Sequence, residues 1–130
     1  MLFMASAQVV CAQTLTLRVA GVEKGRGPVL VALFSSSVND FLRKPVRAAR
    51  VEAKDSIVTW TCENLPQGAY AVALFQDANS NGRLDTDGIG IPVEKYGFSN
   101  NVIPTQGPPS FDECRFELKG DTAVTVRLVP

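Results

Sequence analysis

Short stretches of alternating apolar and polar residues run along most of the chain. Residues 14–22, TLTLRVAGV, place Leu15, Leu17 and Val19 on one face and threonine and arginine on the other. That period of two predicts a half-buried β-strand. The stretch GPVLVALFS is apolar on both faces, as is typical of a central strand. Further strands are predicted in VRAARVEA, SIVTWTCENL, AYAVALFQD, ECRFELKG and DTAVTVRLV.

About seven short strands without a long helical period predict an all-β fold. We expect a single antiparallel β-sandwich, because no segment is long enough for a parallel crossover. The Leu-Pro-x-Gly-x-Tyr entry at residues 65–70 resembles that of transthyretin/prealbumin-like sandwiches, and an immunoglobulin-like sandwich is the other candidate. One short helical turn is predicted in SSVNDFLRKP, ended by Pro45. The turn NLPQGAY then directs Tyr70, Val72 and Leu74 to one face of the next strand, and alanines with Phe75 to the other.

The strand pattern stops between residues 77 and 110, which predicts one long loop. Loops of this length inside a domain are usually either functional or disordered. The segment is rich in apolar residues, so we expect an ordered loop folded onto the body of the domain. These apolar residues are Leu84, Ile89, Ile91, Val93, Tyr96, Phe98, Val102 and Ile103.

The beginning of this loop, DANSNGRLD, has the spacing of a calcium-binding loop. The predicted ligands are the side chains of Asp77, Asn79, Asn81 and Asp85 and the backbone carbonyl of Arg83. Calcium needs several hard oxygen ligands, and alternate residues of a tight turn direct theirs inward. The bidentate glutamate of an EF-hand loop is replaced by glycine here, so Asp87, Glu94 or water would have to complete the site.

A metal-free turn is the alternative interpretation of the same residues. Asn81-Gly82 is a strong turn signal, and Asp and Asn side chains commonly accept hydrogen bonds from nearby backbone amides. Calcium is therefore a candidate cofactor rather than a required one.

The segment KYGFSNN contains aromatic rings beside amides. Tyr96, Phe98, Asn100 and Asn101 form a predicted ligand surface that would stack on and hydrogen-bond a sugar or peptide. The alternative is structural: the rings pack the loop onto the sandwich, and the polar side chains satisfy its backbone. The basic residues Arg43, Lys44, Arg47 and Arg50 would likewise either face an anion or form a solvated strand face.

Composition limits the classes of function. Thirteen Lys and Arg residues balance thirteen Asp and Glu residues, so no net positive field favours nucleic acid. The chain contains no histidine, which removes Ser-His-Asp and Cys-His nucleophile systems and histidine-ligated metals. Carboxylate pairs and oxygen-ligated metals stay open.

The N-terminal residues MLFMASAQVVCA resemble a short signal peptide, with cleavage after Ala12. We therefore expect a leader over residues 1–12, a single domain over 13–130, and an exported protein, periplasmic or extracellular. No later segment is apolar enough to span a bilayer. Cleavage would leave Cys62 and Cys114, which either form a disulfide, as an oxidising compartment favours, or are two separate buried thiols.

The stretch PQGAYAVALFQDANSNGRLDTDGIGIPVEKYGFSNN, followed by GPPSFDECRFEL, resembles the bacterial family called domain of unknown function 2141. The family pattern is PxGxYAVAxxxDxNxNGxLDxNxxGxPxExxGFSNN, and the resemblance covers about residues 14–130. Asp87 stands where the family often has Asn, and Gln76 where His is common. The resemblance implies an exported β-sandwich and brings no activity or catalytic residue.

Two hypotheses of different classes follow. The first is a non-enzymatic exported module that uses its long loop, stabilised by calcium or by itself, for binding or assembly at the cell envelope. Its partner is not identified by the sequence, and an envelope protein or a glycan would fit. The alternative is a carboxylate-based enzyme such as a glycosidase, using two of Asp77, Asp85, Asp87 and Glu94 at a defined separation.

Overall fold

The computed structural model describes residues 12–36, 41–89, 92–105 and 107–129. Within these residues the fold is almost entirely β, which confirms the predicted fold class. The strands are β1 Gln13–Ala20, β2 Val29–Ser35, β3 Arg47–Val51, β4 Ile57–Leu65, β5 Gly68–Gln76, β6 Tyr96–Phe98, β7 Phe116–Leu118 and β8 Thr122–Arg127. A 3-10 turn, Ser99–Asn101, follows β6, and one helical turn, α1 Phe111–Cys114, precedes β7.

The strands form two sheets. The three-stranded sheet has the order β4-β1-β8, and the five-stranded sheet has the order β3-β2-β5-β6, with β7 also paired to β5. The prediction of a purely antiparallel sandwich was wrong in one place, because β1 and β8 are parallel from Leu15 opposite Thr122 to Ala20 opposite Arg127. A parallel pair needs a long connection, and the first and last strands have nearly the whole domain between them.

The hydrophobic core lies between the two sheets. Leu15, Leu17 and Val19 of β1 are fully buried, as their alternation predicts. From β5, Tyr70, Val72 and Leu74 join the same core cluster, together with β2 residues. The other face of the five-stranded sheet is therefore directed away from the core.

The turn between β4 and β5 is a corner that joins the two sheets, since β4 and β5 belong to different ones. Asn64 has a left-handed φ of 62° next to this corner. The buried Tyr70 donates its hydroxyl hydrogen to the carbonyl of Pro66 at 2.6 Å. This bond links the corner to the beginning of β5, because a buried tyrosine hydroxyl needs a partner.

The predicted loop of residues 77–110 contains regular structure that the sequence pattern does not reveal. β6 pairs with β5 along Ala73 to Phe75, and the 3-10 turn follows it directly. A three-residue strand is too short to show a period of two, so only its pairing with β5 identifies it. We call residues 77–95 the Asp loop, and its described residues, 77–89 and 92–95, belong to none of the strands or helices. In SSVNDFLRKP, residues 37–40 lie outside the described structure, and residues 41–43 form a turn.

Ser99 fills a gap in the five-stranded sheet. On one edge of β5, β7 pairs with Gly68 to Tyr70 and β6 with Ala73 to Phe75, so the residues between have no strand partner there. The Val72 amide instead donates to the Ser99 hydroxyl at 2.9 Å, and that hydroxyl donates to the carbonyl of Cys114. Ser99 is fully buried, which makes it a structural residue that joins β5 to α1.

The predicted leader lies outside the described residues except for Ala12. Among the described residues, none of the helices has the length and apolar character needed to cross a membrane.

Gly27 and Gly25 offer a matched test of how the β1–β2 connection packs on the Asp loop. Both have positive φ, 99° and 77°, but a Cβ on Gly27 would lie 2.2 Å from the Asp77 carbonyl oxygen, while one on Gly25 meets nothing within 4 Å. Gly25→Ala should cost about 1 kcal/mol from the left-handed backbone alone. Gly27→Ala should cost about 3 kcal/mol more from the added steric overlap. Urea unfolding measures both, and equal losses would contradict the packing described here.

Candidate functional site

A buried aspartate organises the beginning of the Asp loop. Asp77 is only 2% exposed. Its Oδ1 accepts a hydrogen bond from the Asn81 amide at 3.2 Å, and its Oδ2 accepts one from the Gly82 amide at 2.7 Å. Its own backbone N–H donates to the Pro28 carbonyl at 2.8 Å, which ties the loop to the beginning of β2. A buried carboxylate is tolerated because its oxygens are satisfied in this way.

A second buried carboxylate closes the loop from its other end. Glu94 is 7% exposed. Its Oε2 accepts from the Ala78 amide at 2.7 Å and its Oε1 from the Asp85 amide at 2.9 Å. Glu94 therefore joins the end of the loop to its first and middle residues, whereas the sequence analysis considered it as an additional metal ligand or a catalytic carboxylate.

The other predicted calcium ligands meet at the surface of the loop. The Asn79 and Asn81 carboxamides donate to the two carboxylate oxygens of Asp85, at 2.6 and 2.8 Å. The backbone N–H of Arg83 donates to the side-chain oxygen of Asn81 at 2.9 Å. The structure thus gathers these predicted residues in one turn, but Arg83 takes part through its N–H, whereas the calcium interpretation uses its carbonyl.

In this pattern the polar groups of the turn form hydrogen bonds with one another. A cation would need the carboxamide oxygens of Asn79 and Asn81 to face it, and turning them inward would break both bonds to Asp85. Among the described residues, no group of three or more cysteine, aspartate or glutamate side chains is placed to hold a metal.

The predicted ligand surface of Tyr96, Phe98, Asn100 and Asn101 divides into two parts. Tyr96 and Phe98 belong to β6, with ring centroids 6.0 Å apart. Asn100 donates to the carbonyls of Glu113 and Arg115, and Asn101 accepts from the Arg127 amide. Both asparagines have left-handed φ values, 64° and 53°. They are therefore structural residues, and only the two aromatic residues contribute to the surface described next.

A row of small residues crosses the outer face of the five-stranded sheet. Ala32 of β2 pairs with Ala48 of β3 on one side and with Ala73 of β5 on the other, and Ala73 pairs with Phe98 of β6. Directly paired residues project to the same face of a sheet. The three alanines thus form a low floor that ends at the ring of Phe98.

Larger side chains border this alanine floor on both sides. One neighbouring row consists of Arg50, Leu30, Phe75 and Tyr96, which are paired in that order across the same four strands. On the other side Phe34 stacks edge-on against Phe41 at 5.1 Å, and Phe41 against Phe111 at 5.8 Å. The floor and its borders form an apolar groove.

Two loops complete the groove, which has a volume of about 1040 Å³. The Asp loop contributes the lining residues Gly82, Leu84, Thr86 and Pro92. The segment after the 3-10 turn contributes Pro104, Thr105, Gly107 and Pro108. The long loop is therefore a wall of the groove, in addition to being ordered by its own hydrogen bonds.

Sequence reasoning missed the alanine floor. The alternation in β5 indicated one face that carries alanine and Phe75. The sequence does not reveal, however, which strands lie beside β5 or in what register. It also missed Gln76, which is 3% exposed and fastens the β1–β2 connection. Gln76 accepts from the Glu23 amide and donates to the carbonyls of Glu23 and Gly27.

The acidic residues of the enzyme hypothesis stand apart from this groove. Asp77, Asp85, Asp87 and Glu94 are not among the residues that line it. Asp77 and Glu94 each use both oxygens on backbone amides, and Asp87 accepts from the Ile89 amide. Arg50 is the one charged side chain among the described residues that line the groove.

Of the two alternatives left open for Cys62 and Cys114, the structure has the two separate thiols and no disulfide between them. Both cysteines are buried and carry free thiols. Cys62 lies in β4 of the three-stranded sheet, whereas Cys114 ends α1, which packs against β5 and the 3-10 turn. Burial raises the pKa of Cys62, with Arg47 acting in the opposite direction. Burial also raises the pKa of Cys114, to about 11, and Glu113 acts in the same direction.

These features define a β-sandwich with an ordered Asp/Asn/Gly-rich loop and an apolar groove on one outer face. The chain matches the family described as "Uncharacterized protein conserved in bacteria (DUF2141)" over residues 17–126 and belongs to that family. This confirms the resemblance found in the sequence. No curated protein and no solved structure matches the chain, so its likeness to transthyretin or immunoglobulin domains stays a prediction.

The two interpretations of the Asp loop differ in their response to calcium. From the hydrogen bonds described above, we expect the wild type to unfold at the same temperature in millimolar calcium and in chelator. Asp77→Ala should lose about 3 kcal/mol in both, because two buried backbone amides lose a charged acceptor. Asp87→Ala, which removes the exposed bond to the Ile89 amide in the same loop, should lose about 0.5 kcal/mol. A calcium-dependent rise in the wild type that Asp77→Ala lacks would establish a cation site instead.

The two thiols should be nearly inert in the folded protein. The thiolate is the nucleophile, so a raised pKa leaves less of it at neutral pH, and burial also blocks access. We expect iodoacetamide to leave Cys62 and Cys114 unmodified under native conditions and to label both in denaturant without a reductant. Peptide mass spectrometry provides the measurement, and a Cys62–Cys114 cross-linked peptide would contradict the described state.

Proposed function

We propose that this protein is a non-enzymatic binding module that holds an apolar ligand in the groove on its five-stranded sheet. The observation that carries the proposal is the alanine floor itself. Ala32, Ala48 and Ala73 stand side by side in the middle of a sheet face whose neighbouring rows carry leucine and aromatic side chains. The resulting space is bordered by apolar groups, which gain free energy when a ligand removes them from water.

The size and lining of the groove support this assignment. Its volume of about 1040 Å³ is at the upper end of the roughly 300–1,000 Å³ common for small-molecule sites. Its few polar lining residues include Thr86, Thr105 and Tyr96, which suits a site where polar contacts orient a mainly apolar ligand. A glycan would offer many hydroxyl groups to a surface with few partners for them, so the lining favours an apolar ligand over a glycan.

The Asp loop is proposed to hold one wall of the groove in place before the ligand arrives. Asp77 and Glu94 bind four backbone amides between them, and Leu84 and Thr86 lie in the segment that these bonds enclose. A wall that is already ordered loses less conformational entropy when the ligand binds. In this proposal the loop acts through its internal hydrogen bonds, without a cation and without catalysis.

The contacts of the acidic residues favour binding over the glycosidase alternative. A glycosidase needs two carboxyl groups that face one cleft. Here Asp77 and Glu94 are occupied by the loop backbone, and no acidic side chain from the described part of the chain lines the groove. The N-terminus resembles a signal peptide, and we therefore propose that the module acts after export. In an aqueous compartment an apolar compound needs a protein surface that shields it from water.

Binding of N-phenyl-1-naphthylamine, an uncharged dye that fluoresces in apolar sites, tests the proposal. The wild type should enhance its fluorescence saturably. Ala73→Trp should weaken binding at least about tenfold, a loss of about 1.4 kcal/mol, because the indole occupies the floor. The introduced side chain points away from the core, so the midpoint of urea unfolding should change little.

Ala123→Leu is the matched control, since Ala123 is an exposed strand residue of β8 in the other sheet. It should bind the dye like the wild type. Dye binding that Ala73→Trp and Ala123→Leu leave equally strong would place the dye elsewhere and contradict the proposed site.

A further inference from the structure

We infer that the natural ligand of the groove is an elongated amphiphile with a single anionic group, such as a long-chain carboxylate. In the inferred pose it lies across the strands with its anionic group at Arg50. This inference rests on the proposed function, because it names the class of ligand that the same groove accepts. Two independent features carry it, the direction of the floor and the distribution of charge.

The direction of the floor favours an extended chain. The low row passes over β3, β2 and β5 and ends at Phe98 on β6. Four neighbouring strands span three inter-strand spacings, or roughly 14 Å. The bordering side chains stand along both sides of the row, so the space is longer than it is wide. An alkyl chain fits that shape, whereas a bulky polycyclic ligand would meet the borders.

The distribution of charge specifies the end group. Arg50 lies on β3, at the end of the floor opposite Phe98, and is the one charged side chain among the described lining residues. Acidic side chains are absent from that lining, so a cationic amphiphile finds no partner there. A guanidinium instead binds a carboxylate through two parallel N–H bonds.

The present partner of Arg50 is compatible with this role. Its Nε donates to Glu52 at 3.0 Å, and both side chains are more than half exposed. An exposed pair of this kind contributes little stability. The bond also uses one of the five N–H donors of the guanidinium. A ligand carboxylate can therefore share or replace Glu52 at small cost.

Displacement of N-phenyl-1-naphthylamine by dodecanoate, dodecanol and dodecyltrimethylammonium tests the inference, at concentrations below micelle formation. Extended dodecanoate is about as long as the floor. With the full-length protein, dodecanoate should displace the dye more effectively than the other two compounds. Arg50→Gln should weaken dodecanoate about tenfold and leave dodecanol unchanged. The preference for dodecanoate should also fall as salt is added, because the ion pair is partly exposed.

Arg115→Gln is the matched control. Arg115 also donates from Nε to a glutamate two residues later, Glu117, at 3.0 Å, and it does not line the groove. Dodecanoate should displace the dye from Arg115→Gln as it does from the wild type. Equal displacement by dodecanoate and dodecanol, or equal losses in the two arginine variants, would overturn the inference while leaving the apolar site intact. Absence of any Ala73-dependent dye binding would instead overturn the proposed function itself.

Discussion

The register of β2 against β5 determines both faces of the five-stranded sheet. With Ala32 opposite Ala73, the alternation of each strand sends Val31, Leu33, Val72 and Leu74 into the core and the alanines outward. A slip of one residue would exchange these faces, placing alanines in the core and leucine and valine on the groove side. Because that exchange would cost free energy, the register that packs the core also preserves the groove. Core packing and the shape of the candidate site therefore share one constraint, and neither can change alone.

The Asp loop is fastened at both ends, which distinguishes it from a lid. At the base of the loop the Gln76 amide donates to the Lys95 carbonyl at 2.9 Å. From there Gln76 and Lys95 each reach the β1–β2 connection, Gln76 through Glu23 and Gly27, and Lys95 through the Gly21 carbonyl at 3.0 Å. Opening such a loop would break several partly buried bonds together. We therefore interpret it as a fixed wall, so that ligand exchange would occur at the open β3 edge of the sheet.

The strands, their inward faces and the ordered loop could be predicted because they depend on local alternation and composition. Leu15, Leu17 and Val19 show this directly, since their spacing alone placed them in the core. The alanine floor could not be predicted, because it requires residues from three strands to be brought together by register. β6 and the parallel pairing of β8 were missed for the same reason. The disulfide and the two separate thiols both stayed open, because the number of cysteines carries no information about which elements they lie in.

The family signature contributes both to the framework of the Asp loop and to the candidate site. Within the signature, Asp77, Gly82 and Glu94 build the loop, and Ser99 and the asparagines after it join β5, α1 and β8. These roles are met by polar side chains that satisfy backbone groups, which explains why the motif resembles a metal site. Other residues of the signature line the groove, namely Ala73, Gly82, Leu84, Pro92 and Phe98. The rest of the floor and its border comes from β2 and β3, which lie outside the signature. If the groove binds as proposed, its selectivity would therefore vary through the outward residues of β2 and β3, while the signature keeps the loop framework and the β5 part of the floor the same.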